Sequence, residues 1–143
     1  MLISVGIGSP KMSVLKEKAV ILLAKIIFYI DAFLWLFIKR RKAETMRDVL
    51  ELFYYDFLRI DKKDLEVVRL TDNLLITRAR NPCPILKTAM RLGIDTRVMC
   101  REVSEPVCKF ILLRLNPTLV FYRNYSHIRP YTDFCEEIII KAY

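Results

Sequence analysis

The chain has 143 residues, of which 54% are hydrophobic, and it carries a net charge of +8. A chain of this length can bury one ordinary core and scarcely two, so we expect a single domain over residues 1–143. The excess charge is unevenly placed: residues 1–42 hold eight basic and two acidic side chains, whereas residues 43–143 hold sixteen and fourteen. The near balance of the C-terminal part argues against a nucleic-acid-binding surface, which requires a basic face interleaved with aromatic residues.

Residues 1–12 are interpreted as a leader or disordered start, because Met12 offers an alternative first residue. Gly6 and Gly8 in this stretch are too few for a phosphate-binding loop. We expect a helical part over residues 13–60 and a cysteine-bearing α+β part over residues 61–143.

The apolar segment of residues 19–38 is long enough to be considered as a membrane span. A span would bury Lys25 and Asp31 in the bilayer, and each costs about 3 kcal/mol even on insertion scales. We therefore favour two core helices over residues 13–30 and 32–50, with Asp31 as the N-cap of the second.

The segment is followed by the basic run Lys39, Arg40, Arg41 and Lys42. Cations suit the C-terminal end of a helix, and we interpret the run as a solvated helix end. The alternative is a peripheral membrane contact through the same four residues, because clustered cations attract anionic lipid.

The remaining elements are predicted from hydrophobic spacing and turn residues. Met46, Val49 and Phe53 recur at helical spacing and predict a helix within residues 42–60. The stretches LEVVRL and NLLITRAR, joined by a polar turn at residues 71–73, predict a β-hairpin. A short helix PILKTAMRLG should end at Gly93.

A second short helix is predicted from Asp95, and a third should start with Ser104 as its cap and end at Asn116. The stretches TLVFYRNY and FCEEIIIK predict a second pair of strands. These elements define an α+β fold: a helical N-terminal half packed on an antiparallel sheet of about four strands, with two or three short helices inserted between the hairpins.

Cys83 is the best candidate nucleophile. It lies between Pro82 and Pro84, which favour extended backbone before it and the first helical position after it, so Cys83 is the predicted N-cap. A thiol at a helix N-terminus is partly stabilised as thiolate by the unsatisfied N–H groups. The alternative is a buried cysteine that caps the helix without a chemical role.

The other cysteines, Cys100, Cys108 and Cys135, show no CxxC spacing. Four cysteines could in principle bind zinc, but closely spaced ligand pairs are absent, so we expect no metal and no cofactor. The single histidine, His127, also excludes a metal-binding HExxH motif.

Several short motifs resemble the L-2-amino-thiazoline-4-carboxylic acid hydrolase family. They are Cys83-Pro84, LGID at residues 92–95, VMC ending at Cys100 and DFCEEIII at residues 133–140. The resemblance covers about residues 76–140. It implies hydrolytic opening of a small cyclic C=N substrate in the cytoplasm, at a site containing Cys83, Cys100 and Cys135. The helical half does not share it, and the PYTDF stretch before Cys135 departs from the family pattern.

Such a reaction requires a nucleophile, a cation for a substrate carboxylate and an acid–base group. Arg123 and Arg129 are the candidate cations, although both could instead form ion pairs with Glu136 and Glu137 across the hairpin. His127 is a candidate proton carrier, with a plain surface or capping role as the alternative.

The candidate bases are Asp133, Glu136 and Glu137, which could equally be solvated acids on a strand. The alternative function is a non-catalytic module that binds a small molecule or a metal. The strands that end the chain and carry a cysteine are similar to those of the vinyl-reductase-type ligand-binding domain. In either case the expected partner is a small molecule, and the sequence leaves the oligomeric state open.

Overall fold

The computed structural model describes residues 13–142 and has the predicted α+β fold. In chain order the elements are α1 (Val14–Lys39), α2 (Met46–Val49), β1 (Leu65–Leu70), β2 (Leu74–Ala79), α3 (Pro84–Leu92), α4 (Thr96–Met99), α5 (Glu105–Leu115), β3 (Leu119–Asn124) and β4 (Cys135–Lys141). Two π-helical segments, Leu50–Phe57 and Cys100–Ser104, continue α2 and α4. The interpretation of residues 1–12 as a leader lies outside the described residues.

Helix α1 is continuous, so the prediction of two helices separated at Asp31 is wrong. The helix begins at Ser13, whose hydroxyl accepts a hydrogen bond from the N–H of Lys16 at 3.3 Å, and it ends at Arg40 in a left-handed conformation with φ 49°. Glycine and proline are absent between these caps, so nothing interrupts the helical hydrogen bonds. Asp31 lies inside the helix, 3.6 Å from the guanidinium of Arg59.

Within residues 13–142, α1 is the one helix long and apolar enough to cross a membrane by length and composition. Its most apolar stretch has a mean hydropathy of 2.2, and only 11% of that stretch is buried in the protein. A helix that is apolar on every side is typical of a protein core or a membrane, and here the protein covers one side only.

The second helical stretch begins with a capping box, in which Thr45 and Asp48 each bond the other's backbone N–H. The helix was predicted, but its change to π-helix at Leu50 was not. Phe53 and Tyr54 of this π-helical segment are fully buried, and they place it at the centre of the core.

The four strands form one antiparallel sheet in the order β1-β2-β4-β3. The two predicted hairpins therefore meet through β2 and β4. Thr77, Glu137 and Arg123 occupy the same level across β2, β4 and β3 and face the core. Because side chains alternate along a strand, Glu136 lies on the opposite face.

The predicted restart of the chain at Ser104 is wrong. Ser104 has helical angles (φ −70°, ψ −46°), makes no capping bond, and connects the π-helical segment Cys100–Ser104 directly to α5. The wider π-helical turn precedes Pro106 and accommodates a residue that cannot donate a helical hydrogen bond.

Candidate functional site

Cys83 occupies the predicted position at the start of α3. Its backbone is extended (φ −85°, ψ 124°), Pro84 is the first helical residue, and the Cys83 side chain makes no capping hydrogen bond. The helix ends as predicted at Gly93, which adopts φ 70°. Cys83 is half-buried, so its sulfur is reachable at the N-terminal end of the helix.

Cys135 is the second half-buried thiol and opens β4. Its sulfur receives two N–H donors from Arg129, the backbone N–H at 3.4 Å and the guanidinium Nε at 3.3 Å. Donors of this kind stabilise negative charge on an acceptor atom. The local geometry therefore suits a thiol that carries charge during a reaction.

Arg129 also connects the two thiols through the backbone. Its Nη1 donates to the carbonyl oxygen of Asn81, and its Nη2 lies 3.3 Å from the Asn81 side-chain oxygen. Asn81 is two residues before Cys83. One guanidinium therefore fixes the segment that leads to Cys83 and also contacts the sulfur of Cys135.

Cys100 lies at the end of α4 and is buried. Burial raises the pKa of its thiol to about 12; Arg123 opposes this, and charge on Cys83 and Cys135 adds to it. With this pKa, Cys100 is protonated at neutral pH.

Cys108 lies inside α5. It is 1% exposed, and burial raises its pKa to about 12. Its sulfur is 3.8 Å from the Ser104 hydroxyl. In the part of the chain that the structure describes, no three His, Cys, Asp or Glu side chains are grouped so that they could hold a metal ion.

Arg123 forms the ion pair that we considered as the alternative to substrate binding. Its Nε lies 3.0 Å from Glu137, whose other oxygen accepts the Tyr54 hydroxyl at 3.0 Å. Burial disfavours the charged guanidinium, but the Glu137 carboxylate outweighs it and raises the pKa of Arg123. With 5% of its side chain exposed, Arg123 is a structural residue here.

Glu136 is also in an ion pair, on the other face of the sheet from Cys135. It accepts the Arg78 Nε at 2.9 Å and the Asn124 amide at 3.0 Å, and these two bonds lower its pKa. The two predicted base candidates on β4, Glu136 and Glu137, are therefore both occupied by partners. The third, Asp133, is exposed in the loop before β4.

His127 stacks on Phe134, with ring centroids 5.2 Å apart. Its carbonyl accepts the N–H of Glu136 at 3.0 Å, so it closes the loop that carries Arg129. Thr96 at the start of α4 holds the same loop by donating to the Arg129 carbonyl at 2.9 Å.

Asn81 and Thr96, which hold Arg129 in place, were not predicted from the sequence. Their bonds to Arg129 join residues 48 and 33 positions apart, which no local pattern reveals. The only available signal for Asn81 was its position directly before Pro82-Cys83-Pro84.

A separate cavity of about 310 Å³ lies between α5 and the edge strand β3. Glu105, Lys109, Arg123 and Tyr125 supply its polar lining. None of the four cysteines lines this cavity, and neither does Arg129, so the cavity is separate from the contact between Arg129 and Cys135.

No family model matches the chain, and no curated protein or solved structure shows significant similarity to it.

Proposed function

We propose that the protein is a thiol-dependent hydrolase of a small cyclic C=N substrate, of the kind implied by its resemblance to the L-2-amino-thiazoline-4-carboxylic acid hydrolase family. The observation that supports this most directly is the bridge from Cys135 through Arg129 to Asn81, which is two residues before Cys83. It brings a second thiol and a cation to the segment that carries the candidate nucleophile.

In this proposal the Cys83 sulfur attacks the ring carbon between nitrogen and sulfur. The C=N electron pair moves to the ring nitrogen, which takes the proton of the attacking thiol. The nitrogen lone pair then re-forms the C=N bond, and the ring C–S bond breaks. The ring sulfur leaves as a thiol. Water next adds to the same carbon, the bond to Cys83 breaks, and a ring-opened carbamoyl product is released with net addition of one water.

The surrounding residues have assigned roles. Arg129 is the positioning residue: it orients Cys135 and provides positive charge near the substrate carboxylate. Cys100 remains a protonated thiol that shapes the site. Cys83, at a helix N-terminus with no capping bond of its own, keeps its sulfur available for attack.

The experiment combines iodoacetamide labelling, read for each cysteine by mass spectrometry, with turnover of 2-aminothiazoline-4-carboxylate. We expect Cys83 to label rapidly and Cys83→Ser to abolish turnover. Cys108→Ser, which removes a thiol that has no role in this proposal, should keep turnover and serves as the control. Full turnover by Cys83→Ser would reject the nucleophile, and slow labelling of all four thiols until denaturant is added would reject the hydrolase.

A non-catalytic ligand-binding module similar to the vinyl-reductase-type domain is the second candidate. It is favoured by one observation: Glu136 and Glu137, the base candidates next to Cys135, are held in ion pairs. This alternative expects a bound small molecule in the purified protein, detectable by native mass spectrometry, and no turnover. Metal analysis of the same sample distinguishes a metal-binding module.

For the location of the protein we propose the cytoplasm, with a peripheral membrane contact through Lys39, Arg40, Arg41 and Lys42. The support is α1, which is long and apolar and is mostly uncovered by protein. The test is sedimentation with vesicles that contain phosphatidylserine. Binding that disappears when the four cations are changed to glutamine supports the contact, and binding that persists contradicts it.

A further inference from the structure

One side of α1 is exposed and apolar along most of its length. This outer face consists of Leu22, Ile26, Ile30, Phe33, Leu34 and Phe37, which are exposed by 47 to 69%. Contiguous apolar surface of this extent marks a binding surface.

The charged residues of the same stretch face away from the outer face. Every exposed residue from Ala19 to Ile38 is apolar, whereas Lys25 and Asp31 are half-buried. Asp31 pairs with Arg59 at 3.6 Å, and Lys39 at the end of the helix pairs with Asp56 at 3.3 Å. The outer face is therefore free of Lys25 and Asp31, the two charges that opposed a membrane span in the sequence.

The inner side of α1 is fixed to the rest of the protein by aromatic contacts. Phe28 and Trp35 pack on Phe57, with ring centroids 5.8 and 5.4 Å apart, and Tyr29 packs on Phe110 at 5.6 Å. The helix cannot turn its apolar outer face inward, because the inner side is already occupied.

Cations lie at both ends of the outer face. Lys16 and Lys18 are exposed near its start, and Arg40, Arg41 and Lys42 are exposed beyond its end. An apolar face flanked by cations is complementary to an anionic bilayer, in which acyl chains lie below negative headgroups. A second copy of this chain would present the same cations and repel.

We infer that the outer face of α1 inserts in the plane of an anionic lipid surface and holds the protein there lengthwise. This inference rests on the membrane contact proposed above and adds the face that enters the lipid and its orientation. The helix of 26 residues would lie along the surface over about 39 Å. A span is opposed by the helix's own ion pair, since it would draw Asp31 and Arg59 into the hydrocarbon.

The test compares Ile30→Glu with Met90→Glu in the full chain. Ile30 lies on the outer face and Met90 lies on α3, and the two are exposed by 54% and 57%. The variants have the same change of charge and the same loss of an exposed apolar side chain. Co-sedimentation is measured with phosphatidylcholine vesicles that contain phosphatidylserine, after circular dichroism has shown that both variants are folded.

We expect Ile30→Glu to weaken binding about tenfold or more, because it removes an inserted apolar side chain. Met90→Glu should bind nearly as well as the wild type. If Ile30→Glu binds normally while neutralising the four cations abolishes binding, the basic contact stands and insertion of the outer face is wrong. If the wild type ignores vesicles but forms a dimer that Ile30→Glu dissociates, the outer face binds a second copy and both membrane proposals fail.

Orientation is tested with single tryptophans placed at Leu22, Ile30 and Phe37. Quenching by brominated lipids should report one common depth for all three, since a helix in the plane of the membrane keeps them level. A spanning helix would place Ile30 much deeper than the other two and would overturn the inferred orientation. The native Trp35 is buried against Phe57 and contributes the same background to each variant.

Discussion

The Nε of Arg129 lies 3.3 Å from the sulfur of Cys135, while the same guanidinium binds the backbone of Asn81. A lysine could not make this arrangement, because only a planar fork presents several donors in fixed directions. The loop of Arg129 thereby connects β4 to the start of α3, which carries Cys83. The candidate site depends on this one side chain more than on any other.

Arg129→Lys is therefore expected to change the rate at which iodoacetamide labels Cys135 at neutral pH, because the sulfur loses the guanidinium donor that contacts it at 3.3 Å. Labelling of Cys83 should also change, since Asn81 is no longer held. Arg97→Lys is the matched control: Arg97 is exposed, and it contacts Asp95 and Tyr131 without touching a cysteine. Equal labelling rates at Cys135 in both variants would show that Arg129 does not control the thiol.

Cys100 and Cys108 should resist the same reagent. Burial raises the pKa of each thiol to about 12, so almost none is thiolate at pH 7 to 9 in the folded protein. We expect both to label only when denaturant exposes them. Rapid labelling of Cys100 in the native protein would indicate that the site opens toward solvent at the end of α4.

The sequence predicted those parts of the fold that depend on local signals. Pro84 and Gly93 set the ends of α3, and the polar turn at residues 71–73 set the first hairpin. At Asp31 the local signal was misleading: a good capping residue was read as a helix start, although no helix breaker preceded it. Because no glycine or proline interrupts the backbone near Asp31, the i→i−4 hydrogen bonds of α1 continue through this residue.

The candidate site could be predicted only in part. Cys83 was placed correctly because its neighbouring prolines determine its backbone. The role of Arg123 could not be predicted, because the sequence is compatible with two partners, a bound ligand or a carboxylate of the protein. The order and register of the strands determine which partner Arg123 has. Once β3 pairs with β4 in the observed register, Arg123 stands opposite Glu137, and the ion pair forms.

The pair of neighbouring acids on β4 gives a direct test of this register. Glu137→Gln should destabilise the protein by about 3–5 kcal/mol, because it leaves the buried guanidinium of Arg123 without a counter-charge. Glu136→Gln, on the opposite face, should cost only about 1–2 kcal/mol. Urea unfolding of the two variants measures the difference. If Glu137→Gln does not fold, the combined variant Arg123→Met with Glu137→Leu should regain part of the lost stability, since no buried charge remains. The buried Tyr54 hydroxyl loses its acceptor in this variant and limits the gain.

Glu136 also predicts a response to acid. Asn124 and Arg78 lower its folded-state pKa below the ordinary 4.5, so its contribution to the free energy of unfolding is present above about pH 4.5. That contribution is lost as the pH falls through the lowered pKa. The stability difference between wild type and Glu136→Gln should therefore be constant from pH 7 to about pH 5 and shrink in stronger acid. A difference that grows on acidification would contradict the lowered pKa.

Arg59 ends the second helical stretch in a left-handed conformation, with φ 55°. A side chain with a Cβ costs about 1 kcal/mol in this region, whereas glycine adopts it freely. Arg59→Gly and Arg59→Ala both remove the exposed ion pair with Asp31. The difference in their stabilities therefore measures the free-energy cost of the left-handed backbone conformation at position 59. We expect the glycine variant to be more stable than the alanine variant by about 0.5–1 kcal/mol in urea unfolding. Equal stabilities would mean that the chain leaves the π-helical segment without a left-handed residue at position 59.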